Sequence, residues 1–262
     1  MVQPSSLSDT LTWSNPKTNG EPPPPCRAHS STLVDKRLFI FGGGDGPNYF
    51  NDLYILDTGT GIAIQRCRCT CAHGFVPFPV AQPPSPNPLY PFPAHHPSIE
   101  TLTWFKPLTY GDPPTPRRAH TTCLWKNQIY VCGGGDGVRA LNDVFILDIA
   151  NIECLTWSKL ESTGRPPISR GYHTSNLVGD KLVVYGGSDG HECFNDVHVL
   201  DLGERLVEDE EAKRAKSQWF QVDLDRSIPR LSHTATQVGS YLFVVGGHDG
   251  SRYSSDVLLL NL

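Results

Sequence analysis

Methionine is almost missing from this sequence, and so are long apolar runs. The single Met among 262 residues is the initiator. No stretch approaches the roughly 18 apolar residues a membrane helix needs, so no membrane partner is expected. Met1 to Thr10 lack the basic start and apolar centre of a secretory signal. Positive charge is also scarce, with 22 Lys and Arg against 27 Asp and Glu, for a net charge of -5. No domain-wide positive field exists to gather phosphates, which argues against a nucleic-acid partner. The reading is a cytoplasmic protein. In a reducing compartment its eight cysteines (Cys26, Cys67, Cys69, Cys71, Cys123, Cys132, Cys154 and Cys193) are expected to stay thiols.

What the chain does have is glycine and proline, 24 and 23 of them, and a repeat. Four histidines open four copies: His29, His120, His173 and His233. Thirteen residues after each stands a Gly-Gly pair, beginning at Gly42, Gly133, Gly186 and Gly246. Three further on is the Asp of an Asp-Gly: Asp45, Asp136, Asp189 and Asp249. Seven beyond it comes another Asp: Asp52, Asp143, Asp196 and Asp256. Trp13, Trp104 and Trp157 precede their histidines by sixteen residues, and Trp219 by fourteen. Three copies carry an Arg three residues before the His, at Arg117, Arg170 and Arg230, where the first copy has Cys26.

Each copy reads as strands. A stretch beginning at the His is the first. Leu38 to Phe41 and Leu182 to Tyr185 are apolar runs of the kind buried on both faces. Val144 to Leu147 and Val257 to Leu260 form a third strand, and the Trp segment a shorter, more polar fourth. Gly-Gly after the second strand suits tight turns and close backbone approach. Four antiparallel strands per unit, repeated radially, make an all-β propeller.

The pattern H-[ST]…G-G-x-D-G…[NS]-D-[VL]…D…W resembles the kelch repeat, and among kelch proteins it looks like the fungal cytoplasmic tip-elongation and cell-polarity type. The resemblance implies a kelch-type β-propeller, the galactose oxidase-like fold, over residues 1–262 with four recognisable blades. Such propellers usually have five to seven blades. Two readings stay open here: the Trp13 strand completes the last blade and closes a ring of four, or the chain is part of a larger propeller.

Two inserts interrupt the frame. Asp57 to Trp104 spans 47 residues where Asp148 to Trp157 spans nine. The excess, 59–98, is rich in Pro and Cys, has no strand or helix period and reads as disordered or extended. The second, 203–216, carries Asp209 and Lys213, and Glu210 and Arg214, at helical i,i+4 spacing. A solvated charged loop is favoured there over a short helix. Both inserts fall between strands three and four, so length varies on one face of the propeller and holds on the other.

The residues that look chemical recur in every copy, and recurrence favours architecture. His29, His120, His173 and His233 are read as structural, not as a metal ring. Asp45, Asp136, Asp189 and Asp249 are read as turn residues. Asp52, Asp143, Asp196 and Asp256 are read as blade-stabilising acceptors. Cys67, Cys69 and Cys71 lie one residue apart, too close for a usual zinc pair. Neither a phosphate loop nor a G-x-S-x-G elbow occurs. No catalytic residue, metal or cofactor is assigned, and the chain is not read as an enzyme. Loops after each Asp-Gly differ while the frame stays constant. A partner protein is therefore expected on that face, held by Tyr49, Phe50, Arg139, Phe194, Arg252 and Tyr253, with the competing reading that Phe50, Leu141 and Phe194 only plug the blade ends. The alternative is a metal-dependent lyase or oxidase site at the channel mouth.

Overall fold

Every repeat copy becomes one antiparallel sheet, because its apolar strands must be covered on both faces. A computed structural model describes residues 13, 15–59, 102–203 and 217–262. Blade 1 holds β1 (Asn19–Gly20), β2 (Ser30–Val34), β3 (Arg37–Phe41), β4 (Leu53–Asp57) and β5 (Thr103–Phe105). Blade 2 holds β6 (Thr109–Gly111), β7 (Thr121–Trp125), β8 (Gln128–Gly135), β9 (Ala140–Asp148) and β10 (Leu155–Lys159). Blade 3 holds β11 (Ser162–Gly164), β12 (Thr174–Val178), β13 (Lys181–Tyr185), β14 (Val197–Asp201) and β15 (Ser217–Val222). Blade 4 holds β16 (Thr234–Val238), β17 (Tyr241–Val245) and β18 (Val257–Asn261). No helix occurs among the described residues. The expected all-β propeller blades are what the chain forms.

Strands run antiparallel from the inner edge outward, β2-β3-β4-β5 in blade 1, with Leu38 opposite Leu56 and Leu56 opposite Trp104. One element was not expected. After the Trp104 and Trp157 strands the chain crosses to the next blade and lays a three-residue parallel strand along its outer edge, and β1 holds the same place in blade 1. Thus β6 pairs with β10, and β11 with β15. Blade 4 has three described strands, so β18 is its outer edge.

Blades stack face to face in chain order. Phe39, Phe41 and Ile55 of blade 1 meet Ile129, Val131, Leu147 and Trp157 of blade 2. Cys123, Tyr130, Cys132 and Val144 of blade 2 meet Leu182, Leu200 and Trp219 of blade 3. Val183, Tyr185 and Val197 of blade 3 meet Leu242 and Val244 of blade 4. Burying each such aliphatic side chain stabilises the stack by about 1.5–3 kcal/mol.

On the inside, β2 packs on β7, β7 on β12 and β12 on β16, and no comparable packing joins β16 to β2 among the described residues. The four blades therefore form an open arc. Trp13 is fully exposed. Apart from Gly59 and Gly203, the inserts 59–98 and 203–216 lie outside the described residues, and so does the short helix weighed for the second.

Second glycines of the Gly-Gly pairs are held at positive φ where the next strand crosses. At Gly187 (φ 97°) an added Cβ would sit 2.6 Å from the Gly171 carbonyl oxygen and 2.8 Å from His173 Cβ. Neither neighbour is a flexible chain end. Gly187→Ala is expected to destabilise the protein by more than about 1 kcal/mol, read from its urea midpoint. An unchanged midpoint would show that the crossing has slack.

Candidate functional site

The faces of the propeller can be assigned from backbone contacts. Thr58 N–H donates to the Lys36 carbonyl at 2.9 Å, so the end of strand three shares a face with the first hairpin turn. Arg117 N–H donates to the Phe50 carbonyl at 3.0 Å, which places the Pro-rich link beside the Asp-Gly loop on the opposite face. The Asp-Gly loops on this second face keep one length in all four copies.

Its frame is a repeated cage. Arg117, fully buried, donates to both Asp143 oxygens (2.6 and 3.3 Å), to the Gly133 carbonyl (3.0 Å) and to the Thr115 carbonyl (3.1 Å). Arg170 makes the same set with Asp196 (2.6 and 3.0 Å), Gly186 and Ile168. Burial pushes the Asp196 carboxyl up, but hydrogen bonds from His198 and Arg170 outweigh it and hold it well below the usual range. Arg230 keeps one contact, 3.2 Å to Asp256. In blade 1 Cys26 replaces the Arg, and Lys106 Nζ on the outer strand reaches Asp52 Oδ1 at 2.8 Å instead.

Three histidines latch neighbouring blades together. His120 Nε2 is hydrogen-bonded to Ser30 Oγ at 2.9 Å, His173 Nε2 to Thr121 Oγ1 at 3.1 Å and His233 Nε2 to Thr174 Oγ1 at 2.9 Å. The bond runs to a hydroxyl of the preceding blade. Burial first, then the nearby Arg117, drives the His120 pKa down to about 3, and burial and Arg170 do the same to His173. His233 falls to about 4. His29 differs: it is exposed, and its Nδ1 lies 3.5 Å from Cys26 Sγ. No group of three or more His, Cys, Asp or Glu among the described residues could hold a metal ion. The buried thiols of Cys123 and Cys132 are pushed up to about 11 and 12, which makes them poor ligands and nucleophiles at neutral pH.

The loops themselves are built on the Asp of Asp-Gly. Asp136 Oδ1 accepts the N–H groups of Val138 and Arg139, Asp189 those of His191 and Glu192, and Asp249 those of Ser251 and Arg252. Asp45 accepts from Asn48 through both backbone and side chain. Four rigid loop bases therefore carry four different tips.

The six residues nominated for partner binding separate into two groups. Arg139, Arg252 and Tyr253 stand in solvent at the tips. Each arginine also lies 3.6–3.7 Å from its own loop Asp, an exposed contact of little strength. Tyr49 is half-buried, with the Arg118 guanidinium 4.9 Å over its ring. Phe50 is half-buried at the blade end. Phe194 is 7% exposed, and the Arg170 guanidinium lies 4.3 Å over its ring. Phe194 is thus corrected from a binding residue to a cover for the buried cage. The signal was present, since Phe50, Leu141 and Phe194 occupy one repeat position, and recurrent apolar residues mark a core.

The loop tips, the Arg–Asp cages and the blade latches recur together, and comparison with known proteins gives the same answer. The profile of the KLHDC2/KLHL20/DRC7 Kelch-repeats domain matches residues 6–82 and 93–262. Acyl-CoA-binding domain-containing protein 5 of Arabidopsis thaliana is 27% identical over all of this chain, covering 42% of that protein. Host cell factor of Drosophila melanogaster is 29% identical over 89% of this chain and 14% of its own length. Host cell factor 1 of Homo sapiens is 27% identical over 89% of this chain and 11% of its own length. The chain therefore spans less than half of the length of these relatives, which do not bear on the narrower resemblance to fungal polarity proteins. With the profile matching well over half of its residues, this chain belongs to the kelch-repeat family of β-propellers.

Proposed function

We propose that this chain is a cytoplasmic scaffold that binds a partner protein on its Asp-Gly loop face and is not an enzyme. One observation carries the reading: rigid, repeated loop bases present tips that differ in every blade, with Val138, Arg139, Arg252 and Tyr253 exposed. Arg and Tyr are the residue types that dominate binding energy when a partner covers them. Kelch-family membership supports an interaction role without naming the partner.

The test is capture of cellular proteins by wild type and by a variant with alanine at Arg139, Arg252 and Tyr253. The variant should melt as wild type does, because these side chains are exposed. It should retain roughly tenfold less of a protein that wild type captures specifically. Equal capture would remove this surface from consideration.

A further inference from the structure

We infer that the partner enters between the Asp-Gly loops of blades 2 and 3, where a notch takes an aromatic side chain from an extended segment of the partner. This rests on the loop-face reading above and narrows it to one joint. The observation is that the chain fills the equivalent notch with its own side chain at two joints and leaves it open at the joint between them.

The Gly of each Asp-Gly marks the notch. At the joint of blades 1 and 2, a Cβ added to Gly137 would meet the Tyr49 ring of the preceding loop at 3.0–3.4 Å. At the joint of blades 3 and 4, a Cβ added to Gly250 would lie 3.3 Å from Cys193 Cβ, and the Cys193 S–H donates to the His248 carbonyl at 3.6 Å. At the middle joint, a Cβ added to Gly190 would have nothing within 4 Å among the described residues. The backbone is alike at all three, with φ of 95° at Gly137, 99° at Gly190 and 100° at Gly250. The difference therefore lies in the side chain opposite.

Two truncations open the middle joint. Tyr49 and Cys193 hold one repeat position, each bridged to the residue five before it, Gly44 and Ser188. In blade 2 that position is Ala140, paired with Gly135. Its methyl group is too short to reach the next loop as the Tyr49 ring does. The second truncation is on the facing wall. Arg118, two residues before His120, lays its guanidinium 4.9 Å over the Tyr49 ring. The same position before His173 is Gly171, and before His233 it is Leu231. Only the middle joint, among the three, lacks a long side chain on both walls. Both walls lie inside the arc, so the notch is independent of whatever lies beyond the first and last blades.

The surroundings name the occupant. Tyr49 shows what such a notch holds: a ring set against glycine with a guanidinium over its face. Beside the middle notch, Arg139 follows the exposed Val138 and precedes Ala140, and its side chain is 78% exposed. Its ion contact, 3.7 Å to Asp136, is weak enough to give way to an incoming ring. A guanidinium attracts an aromatic face, and more strongly once the partner has excluded water. Tyr172, next to Gly171, is 43% exposed and offers a ring to stack on. An aromatic side chain uses the notch, the cation and the neighbouring ring together, whereas an aliphatic one uses the notch alone.

The repeat supplies variants that the fold already tolerates. Tyr at position 140 has its precedent in Tyr49, and Ala at position 172 in Ala119, whose φ is 56° against 59° for Tyr172. Ala140→Tyr and Tyr172→Ala should therefore melt as wild type does. The probe is a displayed library of random linear peptides selected on the full chain. Selected peptides should share an aromatic residue. Ala140→Tyr should weaken them roughly tenfold or more, and Tyr172→Ala roughly threefold to tenfold. Replacing the shared aromatic by Leu should cost as much as Ala140→Tyr. An empty selection, peptides without a shared aromatic, or undiminished binding to Ala140→Tyr would each overturn the notch. In the last case, loss of binding to the variant with alanine at Arg139, Arg252 and Tyr253 would leave the loop face standing as the interface. Full binding to that variant as well would remove both readings.

Discussion

Arg170→Ala is expected to lower the unfolding free energy by about 3 kcal/mol, the cost of taking the buried cation from a largely buried carboxylate. The guanidinium is 1% exposed and satisfies both Asp196 oxygens and two backbone carbonyls. It also stacks on Phe194 at 4.3 Å. Of the side chains bonded to Asp196, His198 would remain, its Nε2 2.9 Å from the carboxylate. Arg117→Ala should behave alike. Arg230→Ala should cost clearly less, since its one contact is to Asp256, which is 64% exposed. Urea unfolding of the three variants checks the order. Equal losses at Arg170 and Arg230 would mean that the cage geometry does not set the energy.

The second large effect is acid sensitivity. His120 and His173 have folded pKa values of about 3 and His233 about 4, against 6.5 in an unfolded chain. A depressed histidine pKa means the fold admits only the neutral ring. Its contribution is complete above pH 6.5 and is lost as pH falls toward the folded value, because the unfolded chain takes up protons that the native state refuses. At pH 5 the loss is about 2 kcal/mol per histidine and about 6 kcal/mol for the three. That rivals the whole stability of many domains. Nδ1 of all three rings is buried without a partner among the described residues, so a proton placed there would be unsolvated. The urea midpoint should therefore fall steeply between pH 6.5 and 5. His173→Gln should flatten that fall by about a third while lowering the plateau. A midpoint unchanged from pH 7.5 to 5 would contradict the buried, neutral state of these rings.

Much of this architecture was legible in the chain because the repeat holds its spacing. Leu38 to Phe41 and Val144 to Leu147 announce strands by composition, and the offsets of His, Gly-Gly and Asp place the turns between them. Other features carried no readable signal. The parallel strands at Thr109–Gly111 and Ser162–Gly164 are too short to show a period. Ala28, Ala119, Tyr172 and Ser232, each just before a His, adopt φ of 53–59°. Nothing in those side chains advertises a left-handed turn, which accompanies the backbone bonds that join them across the blade junctions, Ala119 N–H to Ala28, Tyr172 N–H to Ala119 and Ser232 N–H to Tyr172. Phe194 was open to two readings, binding anchor or blade-end plug, and the sequence could not choose between them. An aromatic in a loop suggests a binding anchor, but the guanidinium it covers lies in another part of the sequence. Of the nominated surface, the exposed Arg139, Arg252 and Tyr253 remain as sequence alone suggested. The substitution of Lys106 for the missing first-blade arginine was invisible, because the two positions are not homologous in the repeat.

That lysine has a bearing on the order in which the protein is assembled. In blades 2 and 3 the cation and carboxylate of the cage are 26 residues apart, a loop that closes as soon as the blade is synthesised. Asp52 must wait for Lys106, which emerges only after the long intervening segment has left the ribosome. Blade 1 is first to be translated, yet its Trp104 strand and the Lys106 that follows it are the last of its parts to emerge, when the chain is about to enter blade 2. The contact closed at that point is a solvent-exposed ion pair of little strength, unlike the buried arginine contacts of blades 2 and 3.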